Sequence, residues 1–419
     1  MATTEFEQVP AVSPSPAPAA GGLVVMKFGG TSVDGPERLK AVARRLAAAH
    51  QAGNRVVGVL SAMGDTTNDL MRLARDVSAR PDPRELDMLI SVGERVSCAL
   101  AAMVIHDLGH EAISLTGSQA GIVTDTVHGK AKIVEIRARR VHEALDADKI
   151  VLVAGFQGVS TSFEVTTLGR GASDLTAVAL AAALGADACE IYTDVEGVYT
   201  ADPRIVPAAQ KLHFVTYEEM LEMSASGARV LQLRSVEFAR NHNVKLHVRS
   251  TFSEVGGTWV REEDDQMLEK AMISGVTHEP EEAVYRVEGA DAGSLFSALA
   301  EAEVNVDTIV QIGKEIVFSA PMSDRTEAAA ALVRLRAHWS EHDGLGKVSV
   351  VGAGMKTHPG VAARTFAVLR DAQITPEFVT TSPIKISFFV RTRDVERAVK
   401  ALHDAFDLAA PAAERSESR

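Results

Sequence analysis

What this chain has little of narrows it quickly. It carries 2 cysteines, Cys98 and Cys189, both in apolar surroundings. They build neither a disulfide framework nor a metal site, and read as small buried hydrophobes of a reducing, cytoplasmic compartment. Basic charge is in deficit. The formal net charge is −13, and Lys and Arg are dispersed, which argues against a nucleic-acid surface. No apolar run approaches membrane-spanning length, so no membrane partner is expected. The histidines, among them His106, His110, His142, His213, His242 and His247, are scattered; they read as solvent-facing or locally satisfied and give no metal cluster. Residues 1–22 are rich in Ala, Pro and Ser, hold acidic residues and lack an apolar h-region. They read as a disordered leader rather than a signal peptide, and 409–419 as a disordered tail.

An apolar content of 46% is ample for a packed core, and the length suggests two to three domains. From Val24 to about Ser250, strand candidates (Arg55–Leu60, Ala112–Leu115, Ile150–Ala154, Glu190–Thr193 and Val244–Arg249) alternate with amphipathic or alanine-rich helices. That alternation predicts a layered α/β domain with a mainly parallel central sheet. Two turns inside it carry chemistry. The apolar run Ile150–Phe156 is followed by Thr166-Thr167-Leu168-Gly169-Arg170-Gly171-Ala172-Ser173-Asp174, which opens an alanine-rich helix. Glycines let backbone approach phosphate, and a helix N-terminus favours negative charge. Leu23–Phe28 is a strand that ends in Lys27-Phe28-Gly29-Gly30-Thr31-Ser32. Lys27 supplies a point charge, Gly29 and Gly30 supply N–H groups, and Thr31 and Ser32 can cap the next helix. An ordinary strand-to-helix loop would explain either turn alone. Two at the carboxyl ends of strands in one sheet mark where open α/β sheets bind ligands.

These turns occur with Ser61-Ala62-Met63-Gly64-Asp65-Thr66-Thr67, Gly93-Glu94-Arg95-Val96-Ser97, Thr116–Gly121, Gly155–Gly158 and Ile191–Arg204. In this order the motifs resemble those of the aspartate kinases, of the amino-acid kinase superfamily, over about Val24 to Leu408. The resemblance implies the amino-acid kinase fold. It also implies transfer of the γ-phosphoryl group of ATP to the side-chain carboxylate of L-aspartate, giving 4-phospho-L-aspartate, the first step towards lysine, threonine and methionine. A carboxylate is already ionised at neutral pH, so catalysis rests on positioning and charge neutralisation rather than a general base.

The resemblance also implies roles. Lys27 would stabilise charge on the transferring phosphoryl group, and Asp174 would be the catalytic aspartate that orients Lys27 or metal-bound phosphate. Arg170 would take a substrate carboxylate with its planar fork, and Glu94 the ammonium of aspartate. Ser61, Thr67 and Ser173 would support the substrate. On chemistry alone Glu94 reads as a solvated helix acid; Asp174 also fits a helix N-terminal acid, but Arg170 four residues before it on the turn favours the active role. For the nucleotide, Lys27, Gly29 and Gly30 would be joined by Thr193, Asp194, Tyr199, Asp202, Arg204 and Arg229. Asp202-Pro203-Arg204 also reads as a plain turn, and Arg229 stands where the family usually has Lys. Mg²⁺ is expected on the nucleotide phosphates, with no all-protein metal cage.

The expected plan is a kinase domain over 23–260, a linker with Met267 as a candidate internal start, and two regulatory repeats over 267–345 and 346–408. The repeat is visible directly. Phe296, Leu299, Ala302, Val304 and Phe318 correspond to Phe366, Leu369, Ala372, Ile374 and Phe388 at a constant offset of 70. Each copy predicts a βαββαβ unit, and the resemblance makes them ACT domains that bind amino-acid effectors and build a homo-oligomer. His358, Gly360 and Val361 stand at the effector loop of the second copy. The first copy, Gly289–Phe296, is about one helical turn shorter there, and Gln311–Val317 lacks the family's longer Asn- and Ser-containing loop. These departures suggest weakened feedback inhibition by lysine or threonine. Val348–Gly354 invites a dinucleotide-binding reading, but Thr357 stands where the third glycine belongs. A sensor that has lost catalysis is disfavoured by the intact Lys27, Glu94, Arg170 and Asp174. A kinase for glutamate is disfavoured by the paired ACT-like units.

Overall fold

The computed structural model describes residues 21–262, 273–356 and 360–409. Met267 and His358 lie outside them, as do the leader up to residue 20 and the tail from residue 410. By packing, the chain forms two compact units. One runs up to Glu196 and includes His242–Trp259; the other holds Gly197–Asn241 and the chain from Val260 onward. This division differs from a boundary near residue 260 for a physical reason. Ala201 and Val206 bury their side chains in a core with Val276, Val348, Leu369 and Leu402.

In chain order the strands of the first unit are β1 (Leu23–Phe28), β2 (Arg55–Leu60), β3 (Ala112–Leu115), β4 (Ile122–Thr124), β5 (Ile133–Ile136), β6 (Ile150–Ala154), β7 (Gln157–Ser160), β8 (Val165–Thr167) and β9 (Ala188–Thr193). After β10 (Phe214–Thr216) of the second unit the chain returns in β11 (Leu246–Ser250), and β12 (Thr258–Arg261) follows. The strands β11-β9-β1-β2-β6-β3 lie side by side, all parallel. A smaller sheet runs β5-β4-β7-β8. Strands β1, β2 and β6 are near-continuous apolar runs, as a parallel sheet covered on both faces requires. Side chains alternate across β1. Val24, Met26 and Phe28 join Leu39, Val42 and Leu46 of α1 (Pro36–Gln51) in one core, which turns Lys27 to the opposite face.

Helices α2 (Thr66–Val77), α3 (Pro83–Ile90), α4 (Val92–Asp107), α5 (Arg139–Asp146) and α6 (Ser173–Leu184) complete this unit. Helix α3 starts where its sequence directs. Asp82 accepts from the N–H groups of Arg84 and Glu85, and Pro83 occupies the first helical position. One apolar stretch is longer than the sequence led us to expect. Pro83–Asp107 is long and apolar enough, by length and composition, to cross a membrane. Half of its most apolar window is buried inside the protein, where Cys98, Ala101 and Ile105 pack in the core, and core helices meet the same test.

The second unit contains α7 (Tyr217–Ala225), α8 (Leu233–Asn241), β13 (Gly275–Glu288), α9 (Ala292–Glu301), β14 (Thr308–Ile312), β15 (Glu315–Pro321), α10 (Arg325–Arg334), β16 (His338–Val351), α11 (Val361–Asp371), β17 (Phe378–Ser382), β18 (Lys385–Arg391) and α12 (Val395–Ala405). Its sheet runs β14-β15-β13-β16-β18-β17. The long strands β13 and β16 serve both repeats. Glu282–Glu288 pairs with β15, whereas Gly275–Glu279 pairs with Lys347–Val351, which in turn pairs with β18. The second repeat therefore takes its last strand from the start of the first. The offset of 70 is visible in packing as well. Phe296 meets Phe318 edge-on at 6.3 Å, and Phe366 meets Phe388 edge-on at 5.4 Å. Where the shared strands meet, Lys347 is buried between Glu282 and Asp307, each 2.5 Å away.

Candidate active site

A cleft of 390 Å³ opens at the carboxyl ends of the first unit's strands, and Lys27, Gly30, Ser61, Thr67, Glu94, Arg170 and Ser173 line it. Residues selected from separate stretches of sequence thus share one volume. Lys27 Nζ stands 2.6 Å from Asp174 Oδ1, with both side chains about nine-tenths buried. Burial of a lone charge is costly, so each is the other's condition for being there. Asp174 is the second residue of α6, whose other buried positions are apolar apart from Ser173 and Thr176. The acid sits where the helix dipole favours it.

Glycines shape the cleft by what they omit. Gly169 and Gly171 have φ of +94° and +73°, which turns the chain back on itself and leaves Arg170 at the mouth. The Arg170 guanidinium there reaches Met71 Sδ at 3.6 Å. A Cβ at Gly155 would come within 2.7 Å of Ser173 Oγ, so the start of α6 could not settle on the end of β6. At Gly30 a Cβ would meet the Ala62 carbonyl at 3.0 Å, and the loops after β1 and β2 are joined by Gly64 N–H donating to the Gly30 carbonyl. Gly29 N–H donates to the Tyr192 carbonyl at 3.3 Å, and a Cβ there would lie 3.4 Å from Lys27 Nζ.

Glu94 is not a solvated helix acid: it is 3% exposed. Its Oε1 accepts from Ala62 N–H at 3.3 Å, and Oε2 has no hydrogen-bond partner among the described residues. Burial pushes the carboxyl up to about 7. A buried carboxylate oxygen without a donor, lining a cleft, is suited to receive a cation.

Sequence reasoning missed Asp87. It is 1% exposed and lines the same cleft. It accepts from Thr167 Oγ1 at 2.6 Å, Thr167 N–H at 3.2 Å, Gly129 N–H at 3.1 Å and His128 Nδ1 at 2.8 Å. One carboxylate thus fastens α3 to the start of the Thr167–Asp174 turn. The available signal was an acid one turn before Ile90 on the buried face of α3.

Of the nucleotide candidates, Thr193 ends β9 and Asp194 follows it, with Thr193 Oγ1 donating to Asp194 Oδ1 at 2.9 Å. Tyr199, Asp202, Arg204 and Arg229 belong to the second unit. Asp202 accepts from the backbone N–H of Arg204 and from its guanidinium, and those bonds hold its carboxyl below the usual range. Tyr199 bridges to Lys211, and Arg229 pairs with Glu279 at 2.7 Å. Of the effector candidates, Gly360 is exposed with φ of +109°, and Val361 is buried at the start of α11. Among the described residues no group of three or more His, Cys, Asp or Glu could hold a metal ion. Cys98 and Cys189 are both buried, and burial pushes both thiols up, which leaves them inert.

The fold and the cleft define the class: the amino acid kinase family model matches residues 22–250, and an ACT domain model matches 348–406. The aspartokinase of Mycolicibacterium smegmatis is 50% identical over 405 residues, spanning 92% of this chain and 96% of that protein. The aspartokinase of Corynebacterium glutamicum matches to the same extent. The crystal structure of aspartate kinase from Synechocystis is 39% identical, covering 93% of this chain and 70% of that one, with a TM-score of 0.54. E. coli aspartokinase III in complex with aspartate and ADP shares the fold with a TM-score of 0.80 at 24% identity, over 91% of this chain and 99% of that one. The chain belongs to the aspartokinases of the amino acid kinase family.

Proposed function

We propose that the protein transfers the γ-phosphoryl group of ATP to the side-chain carboxylate of L-aspartate, giving 4-phospho-L-aspartate for lysine, threonine and methionine synthesis in the cytoplasm. One observation carries the reading: a buried Lys27–Asp174 pair shares a cleft with a buried, half-satisfied Glu94 and with Arg170 at the mouth. The arrangement supports the following roles. Glu94 receives the substrate ammonium, and Arg170 receives the α-carboxylate through a forked, charge-assisted contact. Ser61, Thr67 and Ser173 hold the substrate between them. The side-chain carboxylate is itself the nucleophile, so no proton is removed. Lys27, held by Asp174, meets the charge of the transferring phosphoryl group, where fixed charge in a partly dry site is worth most. Gly29 and Gly30 leave room for the phosphates. Thr193, Asp194, Tyr199, Asp202, Arg204 and Arg229 serve the nucleotide.

Mg²⁺ fits as a passenger of the nucleotide, with Asp174 the one carboxylate in the Lys27 pair available to it; bound there, it would neutralise phosphate charge. The ACT repeats fit lysine or threonine effectors and assembly into a homo-oligomer, with control weakened by the short loop of the first repeat. The test of the reaction is chemical. An acyl phosphate is intercepted by hydroxylamine, so hydroxamate must accumulate with ATP and aspartate together. Its absence, with ATP still bound, would remove the reading.

A further inference from the structure

The stretch carrying Tyr199, Asp202 and Arg204 is built into the second ACT repeat. Ala201 and Val206 sit in that repeat's core beside Leu402 and Leu408. Thr200 lies at the centre of the joint and is 3% exposed. Its carbonyl accepts from Val276 N–H at 2.7 Å, and a Cβ at Gly275 would come within 2.9 Å of that oxygen. Its hydroxyl donates to the Leu408 carbonyl at 3.1 Å and accepts from Gln210 N–H at 2.9 Å. The remaining partner is His403 of α12, whose Nε2 lies 2.9 Å from Thr200 Oγ1 and whose ring is fully buried.

The direction of that last bond follows from proton count. The hydroxyl has one proton, and the Leu408 carbonyl takes it, so His403 Nε2 donates. Nδ1 has no hydrogen-bond partner among the described residues, so the neutral tautomer is the one that leaves no buried N–H unpaired; an Asp404 oxygen stands 4.0 Å away. Burial holds the imidazole below its ordinary pKa, in keeping with the neutral form. Thr200 therefore makes three side-chain hydrogen bonds and two backbone bonds, the second from its own N–H to the Gln210 carbonyl at 2.8 Å. The proposed nucleotide contacts flank it closely: Tyr199 is its neighbour, and Asp202 and Arg204 follow two and four residues on.

We propose that His403, acting through Thr200, is a positioning residue for ATP: α12 of the second ACT repeat sets where the Tyr199–Arg204 stretch presents its side chains. This rests on the reading of Tyr199, Asp202 and Arg204 as nucleotide contacts. Loss of the His403 bond leaves a buried hydroxyl short of a donor and frees the stretch, while the aspartate-binding residues of the first unit are untouched. The effect falls on KM for ATP and spares KM for aspartate.

Steady-state kinetics of the full chain test this with Arg204→Ala, His403→Leu, His403→Gln and Thr200→Val. Arg204→Ala probes the underlying reading alone. His403→Leu and Thr200→Val are each expected to raise KM for ATP about three- to tenfold, the equivalent of one buried neutral hydrogen bond, with KM for aspartate within about twofold. His403→Gln places an amide N–H where Nε2–H was and is expected to restore KM for ATP to near the wild-type value. If Arg204→Ala leaves KM for ATP unchanged, the nucleotide reading fails and the inference with it. If Arg204→Ala raises it while His403→Leu and Thr200→Val do not, the inference alone is overturned. Should His403→Leu fail to fold, Thr200→Val and the Gln variant decide the matter. Equal rises in both KM values would mean a merely structural role and also overturn it.

Discussion

Glu94 offers a sharp test because its two expected effects have opposite signs. Its carboxyl is pushed from 4.5 up to about 7 by burial. A group whose folded pKa is raised contributes fully below its unfolded value, and the contribution is lost as pH rises through the folded one. Ionised Glu94 is thus a burden on the ligand-free protein above about pH 7. The shift corresponds to about 3 kcal/mol at its fullest. Glu94→Gln keeps the shape and removes the titration. It is expected to match wild type to within about 1 kcal/mol at pH 5 and to exceed it by up to about 3 kcal/mol at pH 8 to 9. In melting temperature that is roughly 6 to 12 °C at its fullest for a unit of this size. The same variant should lose aspartate, since the ammonium no longer meets a carboxylate; a rise in KM for aspartate of about a hundredfold or more is expected for a charged, buried contact. Melting curves at pH 5, 7 and 9 with and without aspartate read both effects. A wild-type/variant difference that does not change with pH, or a variant that binds aspartate as well as wild type, would refute the reasoning.

Asp87→Asn removes a charge that accepts four hydrogen bonds. It should cost about 3 kcal/mol and raise KM for aspartate by loosening the turn that carries Arg170, which thermal melts and kinetics would show. Lys347→Met leaves Glu282 and Asp307 facing each other without their cation. Breaking a buried pair in this way should destabilise the second unit by about 3 kcal/mol, seen as an earlier urea transition. Titration with lysine plus threonine should give weak or no inhibition; strong inhibition at sub-millimolar effector would show that the short first-repeat loop does not impair control.

Much of the fold and of the site is legible in the sequence alone. Lys27, Gly30, Gly169, Arg170 and Asp174 lie in two contiguous strand-turn-helix stretches, so their chemistry is written locally. The second half announced itself by a fixed offset, and the paired Phe296–Phe318 and Phe366–Phe388 contacts show why those positions repeat. What escaped depends on distance along the chain. Asp87 meets Thr167, 80 residues away, and Thr200 meets His403, 203 residues away. No local pattern reports such partners. The strand shared between repeats escaped for the same reason: the second repeat's last strand comes from before the first. Pro83–Asp107 shows the converse, since a locally apolar stretch folds into α3 and the core-packed α4 only once there is a sheet to cover.

The most direct measurement is the initial rate of ADP release with Mg-ATP and aspartate, glutamate or no acceptor, in wild type and Lys27→Ala. Release should depend on aspartate and fall by about a thousandfold or more in the variant, as loss of a charged group facing the transition state implies. Release that is the same without acceptor, or that survives the loss of Lys27, would contradict that expectation.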